Sequence, residues 1–161
     1  MRIIAYVIYL LLIGLHAVIF RDITSVMNVV INLPAGLVML VALYKDEVPV
    51  TWFGFTAGLV AAAGTPDRIG WGALLMAALA LAACFVKERL NLDSLRAKLL
   101  LVFAGVFVHN VAMLIMGRAD GFLILLGTSA FAGAIYTSLI AWIFFLFKEG
   151  KLTVEKLKSI F

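Results

Sequence analysis

Charge is the scarcest property of this chain. Asp, Glu, Lys and Arg make up 14% of its 161 residues, against roughly 25% in soluble globular domains, too few for an ordinary water-facing surface. A lone cysteine, Cys84, excludes an intramolecular disulfide framework and any CxxC pair. All nine carboxylates fall in links or in the tail, none inside an apolar run, so the series of intramembrane acids expected of a proton-driven pump is missing. His16 and His109 sit in different segments with no H-E-x-x-H or E-x-x-H spacing, which argues against a metal hydrolase. No Gly-rich loop carries a Walker lysine, and no serine has an evident base in its sequence context. No basic run is interleaved with exposed aromatics, so the net charge of +4 does not read as nucleic-acid binding. The expectation is a protein that is not an enzyme, with no catalytic residues, no metal and no cofactor.

What the chain has instead is apolar length. Hydrophobic residues make up 65% of it and the mean hydropathy is +1.16. Charges divide it into six uncharged pieces: Ile3–Phe20, Ile23–Tyr44, Val48–Pro66, Ile69–Val86, Leu99–Gly117 and Gly121–Phe147, of 18, 22, 19, 18, 19 and 27 residues. A helix needs about 20 residues to cross hydrocarbon. Continuous rather than alternating apolar runs select helices over a barrel. The reading is an all-α membrane protein with six transmembrane helices over about 3–20, 23–44, 48–66, 69–86, 99–117 and 121–147, forming one domain at 1–147. A basic tail follows at 148–161, as a short helix on the inner leaflet or a solvated end.

Lys and Arg on alternate ends give the orientation. Arg2, Lys45, Lys87, Arg89, Arg96, Lys98, Lys148, Lys151, Lys156 and Lys158 fall on one side, and only Arg21, Arg68 and Arg118 on the other, ten against three. Excess Lys and Arg in short loops marks the cytoplasmic side, so both termini are expected there. The first run lacks a clear small-x-small cleavage site and reads as an uncleaved helix rather than a signal peptide. Tyr44, Trp52, Trp71 and Trp142 fall near helix ends, at headgroup depth.

Two kinds of residue stand out inside the runs. Small residues at one-turn spacing form ridges: Gly54, Gly58 and Ala62 on the third helix; Gly70, Ala73, Ala77, Ala80 and Cys84 on the fourth; Gly127, Ala130, Ala134, Thr137, Ser138 and Ala141 on the sixth. Such ridges let helix backbones approach closely, either within the bundle or against a partner's helix. Polar side chains at membrane depth are the second kind: His16, Asn28, Asn32, His109 and Asn110. They suit interhelical hydrogen bonds; alternatively, His16, Asn28, Asp67 and Arg68 gather in the outer half of the bundle, where they suit a small-ligand pocket or a polar seam. Asn28 and Asn32 share a helix face, with Pro34 ending or kinking that turn. In "GTPDRIG" (Gly64 to Gly70), Pro66 and Asp67 predict a tight turn, with Asp67 capping the fourth helix.

The stretches "LPAGLVMLVALY" (Leu33 to Tyr44) and "GFTAGLVAAAGTPDRIGWGAL" (Gly54 to Leu74), after a basic residue at Arg2, resemble the rod shape-determining MreD family. The second resembles that family's G-F-x-x-G-L segment, with Gly54 and Gly58, followed twelve residues later by a glycine opening the next helix, Gly70. Ala62 stands where many members carry an aspartate. The resemblance implies a bundle like the substrate-binding S component of energy-coupling-factor transporters. It implies a non-enzymatic scaffold of bacterial cell elongation and peptidoglycan synthesis in the inner (cytoplasmic) membrane. Its partners would be a single-pass MreC-like protein and, directly or through it, the RodA and class B penicillin-binding-protein synthase, with Gly54, Gly58, Ala62 and Gly70 as a partner-binding face. Two alternatives remain: an S component holding a vitamin-like molecule through His16, Asn28, Asn32 and Asn110, and a six-helix channel or carrier.

The charge asymmetry gives a test of topology. Single cysteines beside Arg68 or Arg118 should react with an impermeant maleimide in intact cells, and cysteines beside Arg89 or in the tail should not; the reverse pattern would invert the orientation.

Overall fold

In a computed structural model, residues 2–20, 29–90, 92, 94–118 and 121–148 are described, and every element among them is a helix. Helix α1 spans Arg2–Leu15 and runs on as a π-helical segment, His16–Phe20. Helices α2 (Leu33–Tyr44), α3 (Glu47–Ala61), α4 (Ile69–Arg89) and α5 (Leu95–Met116) follow. Helix α6, Phe122–Lys148, contains a π-helical stretch at Leu126–Phe131. Three segments, Pro66–Arg89, Leu95–Met116 and Phe122–Lys148, are long and apolar enough to cross a membrane.

Helix α2, only 12 residues long, is the hub: it meets α1, α3, α4, α5 and α6. Ala35, Gly36, Val38, Met39, Val41 and Ala42 are all buried along it. Around it the core is aliphatic, with Ile13, Val50, Val102, Val106 and Phe145 fully enclosed. Tyr6 and Tyr9 of α1 meet the Phe53 ring of α3 at centroid distances of 5.6 and 6.2 Å. The lipid-compatible exterior carries large apolar side chains on α1, α4, α5 and α6, and Tyr44, Trp52, Trp71 and Trp142 are exposed.

The structure corrects several boundaries. Residues 29–32 are not helical, so the expected helix 23–44 is present only as α2; its first part, 21–28 with Asn28, lies outside the described residues. Pro34 neither ends nor kinks a helix but opens one, because its missing N–H falls where no intrahelical acceptor exists, and Asn32 caps the turn by accepting from the Ala35 N–H at 3.1 Å. Helix α3 ends at Ala61 rather than 66; Ala62–Gly64 form a turn and Pro66–Arg68 a 3₁₀ turn. Asp67 lies inside that turn and α4 has no side-chain cap, so the expected capping role is overturned. Helix α5 starts at Leu95, with Ser94 accepting from the Ala97 N–H, and draws Arg96 and Lys98 into its first turn. At the other end of α2, Lys87 of α4 donates to the carbonyls of Ala42 (3.0 Å) and Lys45 (2.6 Å), satisfying acceptors the helix leaves open. Of the expected tail, only Lys148, the last residue of α6, is described.

Helices α3 and α4 make the most extensive interhelical contact. Gly54 faces Met76 and Ala80, while Gly58 faces Gly72 and Ala73, so the pair is antiparallel and its register is set by glycine. A Cβ on Gly54 would lie 2.6 Å from the Met76 carbonyl oxygen, and one on Gly58 would lie 2.5 Å from that of Gly72. The expectation that these glycines offer a partner an open groove is therefore corrected: α4 of the same chain fills it. Ala62 is buried too, facing Gly72. Gly70 differs, with open space where its side chain would be.

Overpacking an interior costs about 1–3 kcal/mol and occasionally more, and here the obstacle is backbone, which cannot swing aside. Gly58→Leu should lower the detergent-solubilised melting temperature sharply or abolish monodisperse protein, whereas Gly70→Leu should melt as wild type. Fluorescence-detected size exclusion after a heat ramp reads both.

Candidate functional site

The four described polar residues singled out from the apolar runs, His16, Asn32, His109 and Asn110, converge on the non-helical segment before α2. The Asn32 side-chain oxygen is committed to the Ala35 N–H, so its Nδ2 is the atom facing α5. That amide donates to Asn110 Oδ1 at 2.6 Å and to His109 Nδ1 at 3.0 Å. The Asn32 backbone N–H donates to Thr137 Oγ1 at 3.1 Å, and Thr137 in turn donates to the Gly133 carbonyl at 2.8 Å. Asn110 Nδ2 donates to the Ala130 carbonyl at 3.2 Å, from the π-helical part of α6. His16 joins one residue upstream, its Nε2 donating to the Ile31 carbonyl at 3.2 Å.

In hydrocarbon, backbone that is not helical survives only where protein or a cavity supplies its hydrogen bonds. The 29–32 segment meets that requirement through side chains from α6 and from the π-helical end of α1. The absence of a side chain at Gly36 lets α6 come close enough: a Cβ there would lie 2.7 Å from Thr137 Cγ2. Thr137 was legible in the sequence only as a small ridge residue. Its role as acceptor needed the non-helical segment to be known.

Orientation of Asn32 also fixes a tautomer. Because an amide NH₂ is presented to His109 Nδ1, that nitrogen accepts, and the ring proton sits on Nε2. His109 is 7% exposed, and its Nε2 has no hydrogen-bond partner among the described residues. The ring thus ends in an unmatched donor.

Beside this network lies a cavity of about 660 Å³, within the range of roughly 300–1,000 Å³ typical of small-molecule sites. His16, Asn32, His109 and Asn110 line it, with Arg68 from the 3₁₀ turn and Ser129 from the π-helical stretch of α6. The structure therefore gathers His16, Asn32, His109 and Asn110 around one space with the expected Arg68; Asn28 is outside the described residues, and Asp67 is not among the lining residues. Gly58 and Ala62 border the same space from α3. Among the described residues no three His, Cys, Asp or Glu side chains come together to hold a metal. Comparison with family models, with curated proteins and with solved structures returns no match.

The network predicts its own weak points. Thr137→Val, which keeps shape but removes the acceptor, strands the buried Asn32 N–H. An unsatisfied buried group costs about 1–3 kcal/mol, so the melting temperature should fall by several degrees. Asn32→Ala should cost more, since the cap of α2 and two side-chain bonds are lost together. Equal melting of either variant with wild type would dismiss the network as a stabilising element.

Proposed function

We propose that the chain is an MreD-like, non-enzymatic scaffold of the bacterial cell-elongation machinery. In this reading all six helices lie in the inner membrane, arranged like an S-component bundle with both termini cytoplasmic. The observation that carries it is the hairpin. The stretch bearing the resemblance, Gly54 to Leu74, builds the closest helix pair in the molecule, and its glycines are needed there because backbone meets backbone. A glycine pattern with so strict a packing reason is a feature that relatives of the same fold would have to keep.

With that face occupied internally, a partner's transmembrane helix must dock on the exterior. The groove between α5 and α6 suits a helix: Leu99, Phe103, Ile135, Leu139 and Trp142 line it, and Ser138 contributes a buried hydroxyl with no partner among the described residues. Interhelical hydrogen bonds from such hydroxyls contribute about 0.6–2 kcal/mol in membranes.

The test is purification in mild detergent with a photo-crosslinking residue at Leu100 or Leu139. A crosslinked MreC-like protein, with the RodA and penicillin-binding-protein synthase in the same eluate, is the expected outcome. ATPase subunits of an energy-coupling-factor transporter in their place would overturn the scaffold reading in favour of the S component.

A further inference from the structure

We infer that the cavity beside Asn32 is a binding site for a small amphipathic molecule carrying an anionic group and a carbonyl acceptor. The inference depends on which polar atoms around the cavity are already used. Asn32 and Asn110 have both ends of their amides engaged, and His16 Nε2 is engaged with Ile31. Three carbonyls at the end of α3 are engaged as well: Gly58 accepts from Ala62, Val60 from Ala63, and Ala62 from both the N–H and hydroxyl of Thr65.

Apart from the Ser129 hydroxyl, two side-chain donors on the cavity have no partner among the described residues. One is the Nε2–H of His109, buried and without an acceptor. The other is the guanidinium of Arg68, exposed on its turn and paired with no carboxylate among the described residues. Its Nη2 lies 3.7 Å from where a Gly117 side chain would begin, so it reaches from the α3–α4 hairpin toward the end of α5. Val18, Val30, Val60, Met113 and Leu114 give the rest of the wall an apolar stretch beside Thr65 and Ser129. A bound molecule complementary to this lining has an anion for Arg68, an acceptor for His109 and an apolar body between. A water-soluble acylated acid and an anionic lipid headgroup with its ester carbonyls share that chemistry.

The assignment rests on neither reading of the protein's function, since it is decided by ligand binding rather than by co-purification. Purified protein in a neutral maltoside detergent is titrated with N-acetyl-leucine or with dihexanoyl phosphatidic acid, and with their neutral counterparts, N-acetyl-leucinamide and dihexanoyl glycerol. The expected result is a saturable rise in melting temperature with one or both anions and not with the neutral molecules; whichever anion acts identifies the source. Arg68→Gln, on an exposed turn and outside the core, should weaken that binding at least tenfold with unchanged melting in the absence of probe. His109→Phe should weaken it likewise; if that variant does not fold, Arg68→Gln decides. No saturable shift with either anion, an equal shift with the neutral counterparts, or wild-type affinity in Arg68→Gln would overturn the inference.

Discussion

The fold turns on the non-helical segment that opens α2. A backbone in hydrocarbon satisfies itself most cheaply as continuous helix, and each unsatisfied group there costs several kcal/mol. Val29 to Asn32 is not helical, and its hydrogen bonds come instead from side chains elsewhere in the sequence. Asn32 bonds within α2, to α5 and, through its N–H, to α6, while His16 supports the carbonyl just before it. Because α2 touches every other helix, the segment that opens it positions the whole bundle.

Close approach is the second constraint, and it serves the first. Thr137 can reach the Asn32 N–H only because Gly36 presents no side chain to it, and the α3–α4 hairpin closes only because Gly54 and Gly58 do not. In lipid, packing of this kind replaces the hydrophobic gain that holds helices together in water. The two effects divide the molecule: small residues set the spacing and register of α3 against α4, and buried polar residues tie the start of α2 to α5 and α6. Large apolar side chains are left for the outside, which is where α5 and α6 carry many of them.

Much of this was legible, and the failures share a cause. Charge marks where hydrocarbon ends, so apolar runs located six helices; yet helix ends obey hydrogen bonding instead. Ser94 capped α5 inside a charged link, and α2 began ten residues into an uncharged run. Both caps were visible as Ser and as Asn followed by Pro, but counting apolar length does not weigh them. The sequence singled out His16, Asn32, His109 and Asn110 and set Arg68 beside a possible pocket, but an acceptor such as Thr137 or an end-capping donor such as Lys87 is defined by tertiary position alone. The glycine ridge was seen with its direction left open: spacing says that a face is smooth, and only the neighbouring backbone says which way it points.

His109 brings these constraints into conflict at one atom. If Asn32 were free to turn, the ring could adopt the other tautomer and place its proton where an acceptor waits; the cap of α2 forbids this by holding the amide fixed. The fold therefore keeps a buried donor unmatched, at a cost of about 1–3 kcal/mol, next to a network in which the other amide groups are satisfied. A phenylalanine would fill similar volume without that cost. Departures from local consistency of this sort are expected at functional positions rather than in plain packing. The cavity wall is where this one occurs, so the polarity of the cavity follows from the same asparagine that holds the bundle together.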